Sequence, residues 1–468
     1  MCGPWREVTL CIRIRGRQQS KRAVHVAEDV AEQWTDEAGR RGVALSSPGA
    51  WLLHALVSPA SLLVVALLVH VAGRIAAFCM PIKLDSFYYT ISAYRLWRAG
   101  AIFEDLIPDK PPGQALLTGW VYHLWPGEPS RLAMIPVESA FMLAAYGVFW
   151  WLARRLFGSP LAAGLTLFFV IAHNHYNGLE TITDGFNLGE NYLMLPTLLA
   201  VAAHLTIASP IKRGLARGLA MGVALSIKQA SVGLAAAFLL HGLLSSIRSK
   251  TYRQAGVAGG LTVIGIGLAW SPMLVFLGLH GWLGDHLREL AALSGEHAAI
   301  MPIAWPPWHN LVPLVPLAWW IVVGAVVRLT SKRAGAVGKS RGSEGWLVGF
   351  LLCWLAIEAV GVWSMTKPGT HYYQQVVSPM ALLAGLAIAA LRSDTGRRWA
   401  ASERETTWRW LGATTATLAL LAAMPVLAAG SMRVYKFDPR VEVVEFAQWQ
   451  ATWSPSRAAD HLPQRAKP

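Results

Sequence analysis

The residues best placed to do chemistry lie in one stretch, Lys83–Gly113, which collects Asp85, Glu104, Asp105, Asp109 and Lys110 among aromatic side chains. Asp85 stands just before Phe87-Tyr88-Tyr89, where the chain is expected to leave an apolar segment. A carboxylate at such a boundary can take a proton from an attacking hydroxyl as a general base; the same residue could equally open a short helix as its N-cap. Lys110 sits in Asp109-Lys110-Pro111-Pro112-Gly113. Two prolines fix the backbone and remove two donors, so the lysine leaves the loop at a defined place. A compact ammonium there suits a phosphate, or pairs with Asp109. Together these groups point to chemistry on a phosphate-bearing lipid.

The elements that must position them read as membrane helices. Hydrophobic residues make up 54% of the chain and charged residues 15%, a departure from soluble proteins toward membrane proteins. Apolar runs of about twenty residues, enough to span roughly 30 Å of hydrocarbon, recur after Ala50. Spans are expected at about 51–77, 131–153, 159–173, 190–208, 214–227, 229–247, 255–280, 308–329, 345–363, 372–391 and 408–430, about eleven in all. The run 114–126 is too short to cross and suits an interfacial or re-entrant helix. The interruption at Lys228-Gln229 divides 214–247 into two shorter helices, with one long helix as the alternative. Residues 1–46 read as a polar, poorly ordered cytoplasmic tail, 47–430 as the membrane domain with a first outer loop at 78–130, and 431–468 as a short extracytoplasmic tail.

The net charge of +14 lies between apolar segments, as cytoplasmic loops do, and does not indicate nucleic acid. The pattern puts the N-terminus inside a cell membrane and the organising stretch outside it. Arg131, Glu190, Lys228, His371 and Tyr372 then fall on the same outer side. Glu190 opens a span, where a helix N-terminus favours an anion. Lys228 lies within apolar sequence and needs an anionic partner or access to water. Arg131 is either a second phosphate contact or a snorkelling anchor. His173, His175 and Asp184 lack a repeated metal-ligand spacing, so no metal is indicated, although a divalent ion is compatible with the acids. The four cysteines are scattered, and neither glycine-rich nucleotide loop occurs.

In their order, Asp85 with its aromatics, Lys110-Pro111-Pro112-Gly113, Arg131, Glu190, Lys228-Gln229 and His371-Tyr372-Tyr373 resemble the integral-membrane glycosyltransferases of the GT-C fold. The nearest relatives look like the protein-O-mannosyltransferase-like group that includes the lipid A aminoarabinose transferases. The resemblance covers most of residues 60–391. It implies an all-α bundle with interfacial helices in the first outer loop, and transfer of a sugar from a polyprenyl-phosphate donor to a glycan, lipid or protein acceptor. By residue match it implies Asp85 as the base and Lys110 on the donor phosphate. Arg131, Glu190, Lys228, His371, Tyr372, Asp105 and Asp109 would line the site. Ser86 follows Asp85 where the mannosyltransferases proper carry a second acid, which argues against a mannosyl-to-protein reaction. Two further readings compete. A transporter or flippase of a lipid-linked saccharide would rely on mid-membrane charges such as Lys228, Glu138 and Glu358. An assembly subunit would carry a degenerate site.

Overall fold

A computed structural model describes residues 58–79, 89, 93, 111–125, 131–180, 189–289, 291, 311, 314–330, 341–363 and 374–398, all within one compact unit, 57–468. The tail 1–46, the expected span 408–430 and the tail 431–468 lie outside them. The described regular structure is helical: α1 (Pro59–Cys79), α2 (Gly113–Leu124), α3 (Arg131–Phe157), α4 (Pro160–Glu180), α5 (Gly189–Thr206), α6 (Pro210–Ile227), a 3-10 turn (Gln229–Ser231), α7 (Val232–Ser249), α8 (Tyr252–Leu279), α9 (Val315–Thr330), α10 (Arg341–Trp363) and α11 (Gln374–Arg398).

Three helices start in the same way. Ser58, Ser159 and Ser209 each precede a proline, and each hydroxyl accepts the backbone N–H three residues on, at 3.1, 3.3 and 3.5 Å. Serine satisfies an orphan donor at the N-cap, and proline at N1 has no N–H to lose. Helix α1 accordingly begins at Pro59; the onset of the expected span, 51–57, lies outside the described residues. The short apolar run after the prolines is the twelve-residue α2, too short to cross a bilayer. The run 214–247 is two helices, divided at Lys228-Gln229.

Cross-helix pairs give the packing sense. Leu62 meets Gly164 and Gly73 meets His175, so α1 and α4 run parallel. Gly214, Gly218 and Gly222 meet Ala258, Thr262 and Ala269, so α6 and α8 are parallel too. Gly233 faces Glu358 while His241 bonds the Trp346 carbonyl, so α7 and α10 are antiparallel. The α6–α8 seam is the most intimate. A β-carbon at Gly218 would run into the Thr262 carbonyl, and one at Gly265 would lie 2.8 Å from the Leu215 carbonyl. Small residues four apart let two backbones approach this closely, the commonest device for joining helices in lipid. Buried Arg217 sits on the same seam, donating to Thr262 Oγ1 at 2.6 and 3.1 Å and bonded to His204 Nδ1 at 3.1 Å.

By length and composition, segments of α3, α7, α8 and α10 are long and apolar enough to cross a membrane, while α1, α9 and α11 hold shorter apolar stretches. Helix α4 is central: nearly every described residue from Ala162 to His175 is buried. An enclosed helix can carry His173, Asn174 and His175 because it need not present an apolar face to lipid. The outer faces of α1, α7 and α8 expose Leu68, Leu239, Leu243, Val263 and Ile264, a continuous apolar exterior that water would not tolerate. The chain is a polytopic all-α membrane protein.

Candidate functional site

Buried polar groups collect at one end of the bundle, where α1, α4, α6, α8 and α10 finish and α3, α5, α7 and α11 begin. The opposite end carries Arg154, Arg155, Lys212, Arg213, Arg248, Lys250 and Arg253. At the first end, Glu190 occupies the first turn of α5 and is buried. Lys228 terminates α6 in an extended conformation (φ −154°, ψ 130°), its N–H still bonded to the Ala224 carbonyl at 3.0 Å. Ser231 returns its N–H and its hydroxyl to the Lys228 carbonyl, closing the 3-10 turn. The break swings the lysine side chain off the α6 helical path, and its ammonium forms an ion pair with the Glu190 carboxylate. The α5 N-terminus adds a favourable dipole to the same carboxylate.

The far end of the lysine-proline element packs beside this pair, against Ser226 and Gly189. Pro112 caps α2, and Gly113 lies so close to the Ser226 carbonyl that a β-carbon would not fit. Gln114, fully buried, abuts Gly189: a β-carbon there would lie 2.8 Å from Gln114 Oε1 and 3.8 Å from Lys228 Cδ. Beneath it a small apolar cluster joins Tyr122 of α2, Met134 of α3, Tyr192 of α5, Ile227 of α6 and Ala93 of the first loop. Residues Tyr89 and Ala93, one helical turn apart, are both helical and buried.

A second network braces the α5 entry. Arg74 Nη1 donates to Glu138 Oε2 at 2.6 Å, and Asn191 Nδ2 donates to Glu138 Oε1 at 2.8 Å. Glu138 is completely buried and both its oxygens are used, as a charge in hydrocarbon requires. One turn down α1, His70 Nδ1 meets His175 Nε2 at 3.0 Å, and Asn174 Nδ2 donates to the Tyr146 hydroxyl at 3.2 Å. His175 thus pairs with a histidine of α1, and Asp184 lies outside the described residues. Among the described residues no three His, Cys, Asp or Glu converge on a common metal position.

Of the residues singled out in the sequence, the structure brings Glu190 and Lys228 together. Arg131 is the first residue of α3 at this same end, though its side chain lies outside the described ones. Asp85, Asp105, Asp109, Lys110, His371 and Tyr372 also lie outside the described residues. Sequence reasoning missed Arg74, Asn191 and Gln114 as neighbours of the site, and read Glu138 only as a mid-membrane charge. Arg74 and Glu138 did carry a signal, each being ionisable within an apolar run.

No protein-family model and no curated protein matches the sequence. Solved structures do. ArnT from Cupriavidus metallidurans bound to undecaprenyl phosphate superposes with a TM-score of 0.53 at 16% identity, over 84% of this chain and 68% of that one. The apo state of the same protein gives 0.52 at 19% identity, over 81% and 66%. The archaeal oligosaccharyltransferase AglB from Archaeoglobus fulgidus, in complex with an inhibitory peptide and a dolichol-phosphate, aligns at 0.48 and 14% identity, over 80% and 55%. The chain has the GT-C fold. In this GT-C bundle a cavity of about 30 Å³ opens beside the ion pair, lined by Glu190 of α5, Ser231 of the 3-10 turn, Trp354 and Glu358 of α10, and Gln375 and Ser378 of α11. That volume suits one or two water-sized groups.

Proposed function

We propose that this chain is a membrane glycosyltransferase that moves a sugar from a polyprenyl-phosphate donor to an acceptor hydroxyl at the extracytoplasmic face of the cell membrane. The observation that carries the reading is the packing of Gly113 and Gln114, which follow Lys110-Pro111-Pro112, against Ser226 and Gly189, close neighbours in the chain of the paired Lys228 and Glu190. It sets the partly buried Lys228 ammonium, held by Glu190, beside the element expected to hold a phosphate. The GT-C fold shared with a protein solved with undecaprenyl phosphate supports the same donor class. Clustering of Arg154, Arg155, Lys212, Arg213, Arg248 and Lys250 at the far end supports the sidedness, with the N-terminus inside.

In the proposed reaction Lys110, assisted by Arg131 or Lys228, neutralises the donor phosphate. Asp85 takes the proton from the acceptor hydroxyl, whose oxygen attacks the anomeric carbon in line. The bond from that carbon to the phosphate oxygen breaks, the polyprenyl phosphate leaves as its anion, and the configuration inverts. A phosphate needs no proton to leave, unlike the alcohol released in glycoside hydrolysis, so one carboxylate suffices. Asp85→Asn in proteoliposomes loaded with a polyprenyl-phosphate sugar should lower transfer by about 10²–10⁴-fold, the usual contribution of a general base. Insertion and donor binding should persist. A flippase or an assembly subunit would tolerate the change, so wild-type turnover by Asp85→Asn removes this assignment.

A further inference from the structure

We infer that the cavity between α5, α10 and α11 receives one hydroxyl of the donor's sugar, with the Glu358 carboxylate accepting a hydrogen bond from its O–H and Gln375 donating an N–H to its oxygen. The inference rests on the glycosyl-transfer reading and adds to it a residue that recognises the headgroup. Glu358 is 4% exposed and forms no ion pair among the described residues. Its Oε1 accepts the Trp354 indole N–H at 3.1 Å, its one hydrogen bond among the described residues. Gln375 holds Nε2 buried, with no acceptor among the described residues. Both residues line the same cavity as Glu190, whose carboxylate is engaged by Lys228.

A buried polar atom left unsatisfied costs more than the bond it lacks returns, so the open Gln375 donor and the singly bonded Glu358 carboxylate on one cavity call for a group that can serve both. A hydroxyl does: its O–H donates to the Glu358 carboxylate and its oxygen accepts the Gln375 N–H. The space of about 30 Å³ admits one such substituent and not a sugar ring, so the notch reads a single ring position. Gly233 is part of the design. A β-carbon there would lie 2.9 Å from Glu358 Oε2 and press on the carboxylate.

The test uses the full chain in nanodiscs, with undecaprenyl phosphate and undecaprenyl-phosphate glucose, mannose and galactose as probes. Wild type should bind at least one sugar-bearing lipid about tenfold more tightly than the bare phosphate, the worth of one hydrogen bond to a charged acceptor. Glu358→Met keeps the volume and removes the acceptor, so it should erase that preference while leaving the affinity for undecaprenyl phosphate unchanged. Gln375→Met, an independent variant, should do the same. A preference that survives both variants means the cavity holds only water and overturns the inference. An equal loss for bare and sugar-bearing lipids means Glu358 merely supports the fold and also overturns it. If wild type binds bare and sugar-bearing lipids alike, the notch fails while the donor class stands. If it binds none of them, the glycosyl-transfer reading fails and the notch with it.

Discussion

Glu190 and Lys228 are 38 positions apart in the chain and meet because one opens a helix and the other closes one. Glu190 has 3% of its side chain exposed and Lys228 has 18%. Removing the lysine alone takes the counter-charge from a carboxylate with little water to compensate. Lys228→Met is therefore expected to cost about 3–5 kcal/mol, the range for breaking a buried pair from one side. Thermal unfolding in detergent would read it. Lys228→Met combined with Glu190→Gln should recover most of that loss, and a double variant as unstable as the single would show that the two residues do not act as a pair. The need for a partner at Lys228 was legible, since an ammonium within apolar sequence cannot stand alone. Its pairing with Glu190 was not, because nothing local records which of several outer acids the end of α6 meets. Arg74 and Glu138 were hidden for the same reason: their 2.6 Å contact joins α1 to α3, and only the packing makes it.

Helix α8 is held mainly along one seam. Its partner α6 contributes Gly214, Gly218 and Gly222 to that seam, and much of the remaining surface of α8 faces outward with Val263, Ile264, Leu268 and Val275 exposed. Gly218→Leu pushes a side chain into backbone and should destabilise the chain by about 1–3 kcal/mol or more, the cost of overpacking an unyielding contact. Gly260→Ala on α8 faces open space and should leave the melting temperature unchanged. Equal behaviour of the two variants would dismiss the seam. At this scale the sequence was readable where local chemistry decides. The division at Lys228-Gln229 and the short α2 follow from polarity and length. The start of α1 at Pro59 follows from Ser58-Pro59, a capping signal that a hydropathy reading passes over. The glycine spacing on α6 went unread, since three small residues in an apolar run do not say which neighbour they admit. Helices α4, α5 and α6 were expected as ordinary spans, yet their polar residues make sense only once they are enclosed.

Across the whole molecule, the polar end and the basic end are distinct, and the proposed reaction needs the polar end outside. With the native cysteines replaced, a cysteine in place of exposed Gln229 should react with a membrane-impermeant maleimide on intact cells. One in place of exposed Lys250, at the other end of α7, should react only after permeabilisation. The reverse labelling would invert the bundle and remove the proposed site from the face where it is needed. Between the two ends lies a section filled by Met142, Phe149, Leu152, Leu198 and Val201, each with no exposed surface. It separates the carboxylates around Glu190 from the Arg217–His204 contact near the basic end. Among the described residues, a proton or metal ion admitted at the polar mouth therefore meets a greasy plug. Such a bundle can keep a charged headgroup half inside the bilayer without short-circuiting the voltage across it.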